Sequence, residues 1–202
     1  MSLVEQLKDQ LSRFSLRAYE RKLVAAAGGN NSVRIGSTEE FLITASGISL
    51  GLVRPDNILT VDRRGRKIAG PDGLVPSKET AMHLAVYNLR PDVSAIVHVH
   101  PCFCNIWAAR GRSIPLATVT AKAKLGLTPI VPPAAAGSQE LRASVENLIP
   151  TLEGAVHTIL LQRHGILTWG ATIEEAYLRA DLAEEQAALA YFMELGLVSP
   201  AW

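Results

Sequence analysis

The chain has 202 residues, and we expect residues 1–202 to form one domain, since this length suits a single domain. The formal net charge is only +1, from 20 lysines and arginines against 19 aspartates and glutamates. This near-neutral balance excludes a global basic field for binding nucleic acid or an anionic membrane surface. Charged residues make up 19% of the chain, below the usual quarter, which indicates that part of the surface is covered in an oligomer.

The N-terminal segment and the cysteines indicate where the protein works. Residues 1–22 are amphipathic rather than a charged segment followed by an apolar block, so we expect no secretory signal. No apolar run approaches the roughly 18 residues that a membrane span needs. Cys102 and Cys104 are too close in sequence to form a useful disulfide, and we therefore expect a cytoplasmic protein in a reducing compartment.

Helical and strand-like patterns alternate along the chain, which predicts an α/β fold. The predicted helices are 3–26, 76–90, 104–109, 138–148 and 173–195. The predicted strands are 32–35, 40–44, 57–61, 94–100, 158–161 and 165–169. Gly28 and Gly29 are predicted to end the first helix and Ser138 to cap the fourth, and the last helix is predicted to begin after Thr172. Residues 62–75 predict a hairpin turn and an exposed loop, whereas 118–131 is ambiguous.

Two of the five histidines end a strongly apolar strand, in His98-Val99-His100. Because side chains alternate on a strand, both rings lie on one face with their Cα atoms roughly 6–7 Å apart. The rings are either core histidines with hydrogen-bond partners or two ligands of one ion. Burying two polar rings without partners is costly, and a shared metal ion removes that cost.

His164 and Glu79 are candidates for further ligands. His164 follows an apolar strand and precedes Gly165, so it is either a third ligand or a surface turn residue. Glu79 is predicted in the first turn of a helix, where a carboxylate is either a ligand or stabilised by the helix dipole. Three imidazoles and one carboxylate suit zinc, with manganese and cobalt as alternatives.

Two glycine-containing turns are candidates for binding an anion. Residues 28–32 and 44–47 combine free backbone N–H groups with small hydroxyl or amide side chains, which suit a phosphate or a carboxylate. Neither segment matches the P-loop or the dinucleotide-binding fingerprint. Each segment could also be an ordinary turn.

Taken in chain order, these segments resemble the motifs of the class II aldolase/adducin family. The matching motifs are Gly29-Asn30-Asn31-Ser32-Val33-Arg34, Ile43-Thr44-Ala45-Ser46-Gly47, Pro76-Ser77-Lys78-Glu79, Arg90-Pro91-Asp92-Val93 with His98-Val99-His100-Pro101, and Arg163-His164-Gly165. Each motif is short, but five in the family's order are specific. The resemblance implies three α/β/α layers around a largely antiparallel sheet. It also implies a homotetramer with active sites at subunit boundaries.

The resemblance also implies roles for individual residues. Glu79 matches a carboxylate that both ligates the metal and serves as acid/base. The implied metal ligands are His98, His100 and His164. The implied phosphate-binding residues are Asn30, Ser46, Gly47 and Ser77. Lys78 stands where the family has a serine, and it could pair with a phosphate or a carboxylate.

The resemblance implies a metal-dependent lyase that cleaves a small phosphorylated ketose or keto acid by retro-aldol chemistry, through an enediolate. A divalent cation stabilises such a charge as a Lewis acid. One aldolase of the family uses a tyrosine in the stretch that matches 114–122, where this chain has none. Having glutamate at position 79 rather than aspartate argues against the pentulose-phosphate 4-epimerase branch.

Two other functions remain open on the sequence alone. Decarboxylation of a 3-oxo acid phosphate, or dehydration of a ketose phosphate, would use the same charge stabilisation. An adducin-like interaction domain would keep the fold and lose the site, but the three histidines and Glu79 are all present.

Overall fold

The computed structural model describes residues 1–153 and 156–197. Residues 154–155 and 198–202, which the predicted domain includes, lie outside the described part. Among the described residues, none of the helices combines the length and the apolar character needed to cross a membrane. The helices are α1 (Leu3–Glu20), α2 (Thr80–Leu89), α3 (Cys102–Ala109), α4 (Val119–Lys124), α5 (Gln139–Leu148) and α6 (Ile173–Glu194). The strands are β1 (Asn30–Arg34), β2 (Glu40–Thr44), β3 (Ile58–Asp62), β4 (Lys67–Ala69), β5 (Ala95–Val99), β6 (Ile130–Val131), β7 (Thr158–Leu161) and β8 (Gly165–Gly170).

All of these strands join one sheet in the order β4-β3-β2-β1-β5-β8-β7-β6. Within the described residues the pairs are antiparallel, apart from the parallel pair β6–β7. Strand β5 lies between β1 and β8, with His98 opposite Asn30 on one side and Leu167 on the other. The predicted largely antiparallel sheet is therefore confirmed.

Helices cover both faces of the sheet, which confirms the predicted three-layer α/β/α arrangement. Helices α1, α3 and α6 pack on one face, around a core that includes Leu11 and Trp107. Helices α2 and α5 pack on the other face, around a core that includes Met82 and Trp169. Strand β5 is covered on both faces, so all five of its residues are buried and four of them are apolar.

Helix α1 ends at Glu20, earlier than the predicted end near residue 26. The chain leaves the helix through Lys22, whose φ of 59° lies in the left-handed region. This turn buries Leu23 in the core, where its carbonyl oxygen accepts a hydrogen bond of 2.9 Å from the His100 backbone N–H. The apolar residues after Glu20 therefore continue the core without continuing the helix.

Helix α2 begins at Thr80 rather than at residues 76–77, so Glu79 is its N-cap residue and does not lie in its first turn. The ambiguous segment 118–131 forms α4 and β6. The predicted Ser138 cap is confirmed, since its side chain accepts a hydrogen bond from the Leu141 N–H in the first turn of α5. Helix α6 begins after Thr172 as predicted, and the Thr172 side chain caps it by accepting from the Glu175 N–H.

Candidate metal centre

Four residues that are distant in sequence converge at one end of β5. One ligand atom from each lies within 4.8 Å of those of the others. The centroids of the three imidazole rings are 4.7–5.1 Å apart in pairs. The four residues are Glu79, His98, His100 and His164.

The antiparallel register of β5 and β8 explains this convergence. His98 and His100 point to the same side because they are two residues apart on an extended segment. Val99 lies opposite Ile166, so the start of β8, with His164 just before it, lies beside the end of β5. Glu79 enters from the other layer, at the N-terminus of α2.

Two glycines allow the backbone to approach the rings closely. A Cβ atom on Gly165 would lie 2.5 Å from the Val99 carbonyl oxygen and 2.6 Å from Cδ2 of His100. A Cβ atom on Gly28 would lie 2.9 Å from Nδ1 of His100. Any larger residue at either position would displace a histidine, so both glycines serve the geometry of the centre.

Hydrogen bonding fixes the orientation of the His98 ring. Nδ1 of His98 lies 2.9 Å from the Ile166 carbonyl oxygen, which can only accept, so Nδ1 carries a hydrogen. In the neutral ring, Nε2 then presents its lone pair to the centre. A backbone carbonyl that holds the second nitrogen in this way is the usual support of a metal-ligating histidine.

The inner atoms face one another at short distances. Nε2 of His98 lies 3.0 Å from Nε2 of His100 and 3.1 Å from Oε2 of Glu79. Nε2 of His164 lies 3.2 Å from Oε1 of Glu79, a buried oxygen without a hydrogen bond of good geometry. Lone pairs at these distances repel unless positive charge lies between them. The donor set therefore fits a divalent cation with nitrogen and oxygen ligands.

The electrostatics of the centre favour ligand forms of its side chains. Burial alone raises the pKa of Glu79, but the adjacent imidazoles of His164 and His98 outweigh it and lower the pKa well below its ordinary value. Burial, with the nearby rings of His98 and His164, lowers the pKa of His100 to about 3. An ionised carboxylate and a neutral imidazole are the forms that bind a metal ion.

The predicted phosphate-binding residues line the same cavity as three of the four candidate ligands. This cavity has a volume of about 310 Å³. His98 lies behind it, fully buried. The predicted site residues in the cavity wall are Asn30, Ser46, Gly47, Ser77, Lys78, Glu79, His100 and His164.

The predicted phosphate-binding residues differ in their exposure and in the hydrogen bonds that they already make. Ser46, Gly47 and Lys78 are exposed, and a Cβ atom on Gly47 would meet no atom within 4 Å. Ser77 is buried, and its hydroxyl oxygen accepts a hydrogen bond from the Glu79 N–H. The Asn30 amide already donates to Oε2 of Glu79 at 2.9 Å and contacts Nε2 of His83 through its oxygen at 2.7 Å.

His83 belongs to the surroundings of the site, although the sequence analysis assigned it no role. It is fully buried in α2, one turn after Glu79, and its ring nitrogens contact Asn30 and Ser32. The spacing Glu79, His83, Tyr87 places three polar side chains on one face of a helix, a signal that the sequence carries.

A larger cavity, of about 900 Å³, lies beside α4 and α6. None of the predicted site residues lines it. It lacks the convergent donors of the cavity at Glu79, and we therefore place the candidate site at the smaller cavity.

Comparisons with known proteins identify the family and the fold of the chain. The family model of the class II aldolase and adducin N-terminal domain matches residues 9–191. The chain is 34% identical over 175 residues to an L-fuculose phosphate aldolase of Methanococcus maripaludis, covering 87% of this chain and 91% of that protein. It is 34% identical over 162 residues to a 5-methylthioribulose-1-phosphate/5-deoxyribulose-1-phosphate aldolase of Escherichia coli, covering 80% of this chain and 72% of that protein.

A solved structure of an L-fuculose 1-phosphate aldolase superposes with a TM-score of 0.85 at 24% identity. The superposition covers 97% of this chain and 89% of the other. At this identity the likeness establishes the fold.

Proposed function

Because the chain belongs to the class II aldolase and adducin N-terminal domain family, we propose that it is a divalent-metal-dependent lyase. Its substrate is a small phosphorylated ketose or keto acid, which it cleaves by retro-aldol chemistry. The observation that carries the proposal is the carboxylate of Glu79, which lines the cavity and lies 3.1 Å from Nε2 of His98 and 3.2 Å from Nε2 of His164. The names of the aldolase relatives support the reaction class.

His98, His100 and His164 would hold the cation, with Glu79 as a fourth ligand. When bound, a divalent cation acts as a Lewis acid that stabilises negative charge beside a carbonyl. Zinc is the proposed metal, because three imidazoles and a carboxylate form the kind of donor set that it prefers.

Glu79 is the proposed acid/base. Retro-aldol cleavage takes a proton from a substrate hydroxyl and returns one to the carbon that is released, so a group that exchanges protons must lie beside the reacting atoms. Glu79 lines the cavity and is ionised before substrate binds. Its burial keeps bulk water away from the proton that it moves.

The opposite end of the substrate is held through its phosphate. The exposed backbone at Ser46 and Gly47, the Ser77 segment and the Lys78 ammonium all belong to the same cavity wall as Glu79. Backbone N–H groups in tight turns and a lysine together form an anion site. Asn30 contributes at most its remaining amide hydrogen, since its other polar atoms are bonded to Glu79 and His83.

Lys78 also supports a second candidate reaction. An exposed ammonium on the rim adds positive charge that a substrate with both a phosphate and a carboxylate would use. Decarboxylation of a 3-oxo acid phosphate fits this charge, and dehydration of a ketose phosphate would use the same centre. The three reactions differ in their products.

The proposed assembly is a homotetramer with active sites at subunit boundaries. Large apolar side chains are exposed on α4, after α4 and on α6: Val119 is 85% exposed, Leu127 68% and Leu178 51%. Burying such residues against another copy stabilises an oligomer. Sedimentation equilibrium measures the mass directly, and a monomer at micromolar concentration would contradict this assembly.

The experiment that tests the function is a product screen. The protein is stripped with a chelator, reloaded with Zn²⁺, Mn²⁺ or Co²⁺, and offered ketose phosphates and oxo-acid phosphates. We expect dihydroxyacetone phosphate from the lyase reaction and carbon dioxide from the decarboxylase reaction, with the chelated protein as control. Absence of turnover together with absence of stoichiometric metal would favour the adducin-like interaction domain.

A further inference from the structure

A continuous chain of buried hydrogen bonds runs from Tyr87 to Glu79. The Tyr87 hydroxyl lies 2.8 Å from Oγ of Ser32, which lies 2.7 Å from Nδ1 of His83. Nε2 of His83 lies 2.7 Å from Oδ1 of Asn30, and Nδ2 of Asn30 lies 2.9 Å from Oε2 of Glu79. Each of these side chains is at least nine-tenths buried.

The chemistry of Glu79 sets the direction of every bond in this chain. A carboxylate oxygen only accepts, so Asn30 must present its NH₂ group to Glu79 and its oxygen to His83. That oxygen only accepts, so Nε2 of His83 carries the hydrogen. The neutral His83 ring then accepts at Nδ1 from the Ser32 hydroxyl, and Ser32 accepts from Tyr87.

Two rigid elements carry these groups. Glu79, His83 and Tyr87 are spaced four residues apart, so they share one face of α2 and its N-cap. Asn30 and Ser32 alternate on β1, so both face α2 from the sheet. Asn30 also lies opposite His98 in the β1–β5 register, which ties the chain of bonds to the strand that carries two candidate ligands.

We propose that Asn30, His83, Ser32 and Tyr87 are positioning residues that hold the Glu79 carboxylate by Oε2 and leave Oε1 to bind the cation and move the proton. This inference rests on the proposed function. The last torsion of a glutamate is broad, and a carboxylate without a fixed donor turns freely between its two oxygens. Asn30 fixes that torsion only while His83 occupies its oxygen, because a rotated amide would turn its oxygen towards Glu79.

The test compares two substitutions of His83. In His83→Gln, the amide nitrogen replaces Nε2 and can still donate to Asn30, whereas His83→Phe fills the space without a donor. Loss of an outer partner of a metal ligand typically costs about 10- to 100-fold in metal affinity or activity. We expect His83→Phe to lower kcat by that factor with little change in KM, and His83→Gln to restore most of it. Equal kcat in both variants and the wild type would overturn the proposal.

Two measurements do not depend on lyase activity. Titration of the chelated protein with Co²⁺, followed by visible absorption, should show affinity falling about 10- to 100-fold in His83→Phe and not in His83→Gln. If no substrate is turned over but this difference is found, the proposed function fails and the positioning role stands. Identical Co²⁺ affinities in His83→Phe, His83→Gln and the wild type would show that His83 does not position Glu79.

If His83→Phe does not fold, the positioning role can still be tested on the wild-type protein by NMR. Nitrogen-15 spectra of histidine-labelled, zinc-loaded protein report which nitrogen of each ring carries hydrogen, and the spectrum of His83→Gln identifies the His83 signals. We expect the neutral Nε2–H form of His83. A hydrogen on Nδ1 instead would contradict the direction of the hydrogen-bond chain and with it the inference.

Discussion

Nδ1 of His98 lies 2.9 Å from the backbone carbonyl oxygen of Ile166 on the neighbouring strand. This single bond turns Nε2 of His98 towards His100 and Glu79, so the pairing of β5 with β8 orients the ring as well as placing it.

Replacing His98 with alanine should abolish metal binding. The ring is fully buried and supplies one of the four potential ligand atoms of the centre. We expect metal content below one tenth of an equivalent by elemental analysis, and loss of activity. The Ile166 carbonyl also loses its partner, which costs about 1–3 kcal/mol of stability by urea denaturation. Retention of one equivalent of metal would show that His98 is not a ligand.

Glu79→Gln should keep the cation and lose turnover. The three imidazoles still hold the cation, whereas the new amide gives its one oxygen to the Asn30 NH₂ group and cannot take up a proton. A general base is worth roughly two to four orders of magnitude in rate. Steady-state kcat, measured beside metal content, checks this. An unchanged kcat with bound metal would exclude Glu79 from proton transfer.

Lys78→Ala should weaken binding of phosphorylated substrates. Its ammonium is exposed on the cavity rim, so the loss is smaller than for a buried contact, and we expect KM to rise roughly 3- to 10-fold with kcat nearly unchanged. Lys22→Ala serves as the control, since Lys22 is exposed and does not line this cavity. If both variants have wild-type KM, Lys78 is a surface residue without a role in binding.

Acid should destabilise the metal-free protein through His83. Burial lowers the pKa of His83 from 6.5 to about 3 in the folded state. The unfolded chain therefore binds a proton that the folded chain does not, and the stabilisation present above pH 6.5 is lost as the pH falls towards 3. The contribution has a slope of at most about 1.4 kcal/mol per pH unit.

Urea denaturation in the presence of chelator measures this slope. Between pH 6.5 and 4.5 we expect the free energy of unfolding of the wild type to fall more steeply than that of His83→Gln, which has no group titrating at that position. Parallel curves for the two proteins would mean that His83 is protonated in the folded state, contrary to its burial.

Much of the fold could be read from local patterns. Strands β2 and β7 were predicted with their observed bounds, the Ser138 cap was predicted as observed, and α6 begins after Thr172 as predicted. The prediction for the end of α1 was wrong, because the apolar residues Leu23 and Val24 also suit a loop that enters the core. The predicted start of α2 was wrong for a related reason: the segment before Thr80 has helix-opening residues, but it carries the turn that directs Glu79 into the cavity.

The amino-acid sequence by itself determined the α/β class and put His98 and His100 on one face of a strand, because alternation along a strand is a local property. The assignment of His164 and Glu79 to the same centre came from the resemblance carried by the five motifs. Only the tertiary structure decided which atoms face that centre. Nε2 of His98 points towards the centre because Nδ1 is bonded to the Ile166 carbonyl oxygen. The Asn30 amide donates to Glu79 because its oxygen is bonded to His83 on α2. These contacts join residues 49 to 68 positions apart, and their orientation is set by strand pairing and helix docking, which no local pattern records.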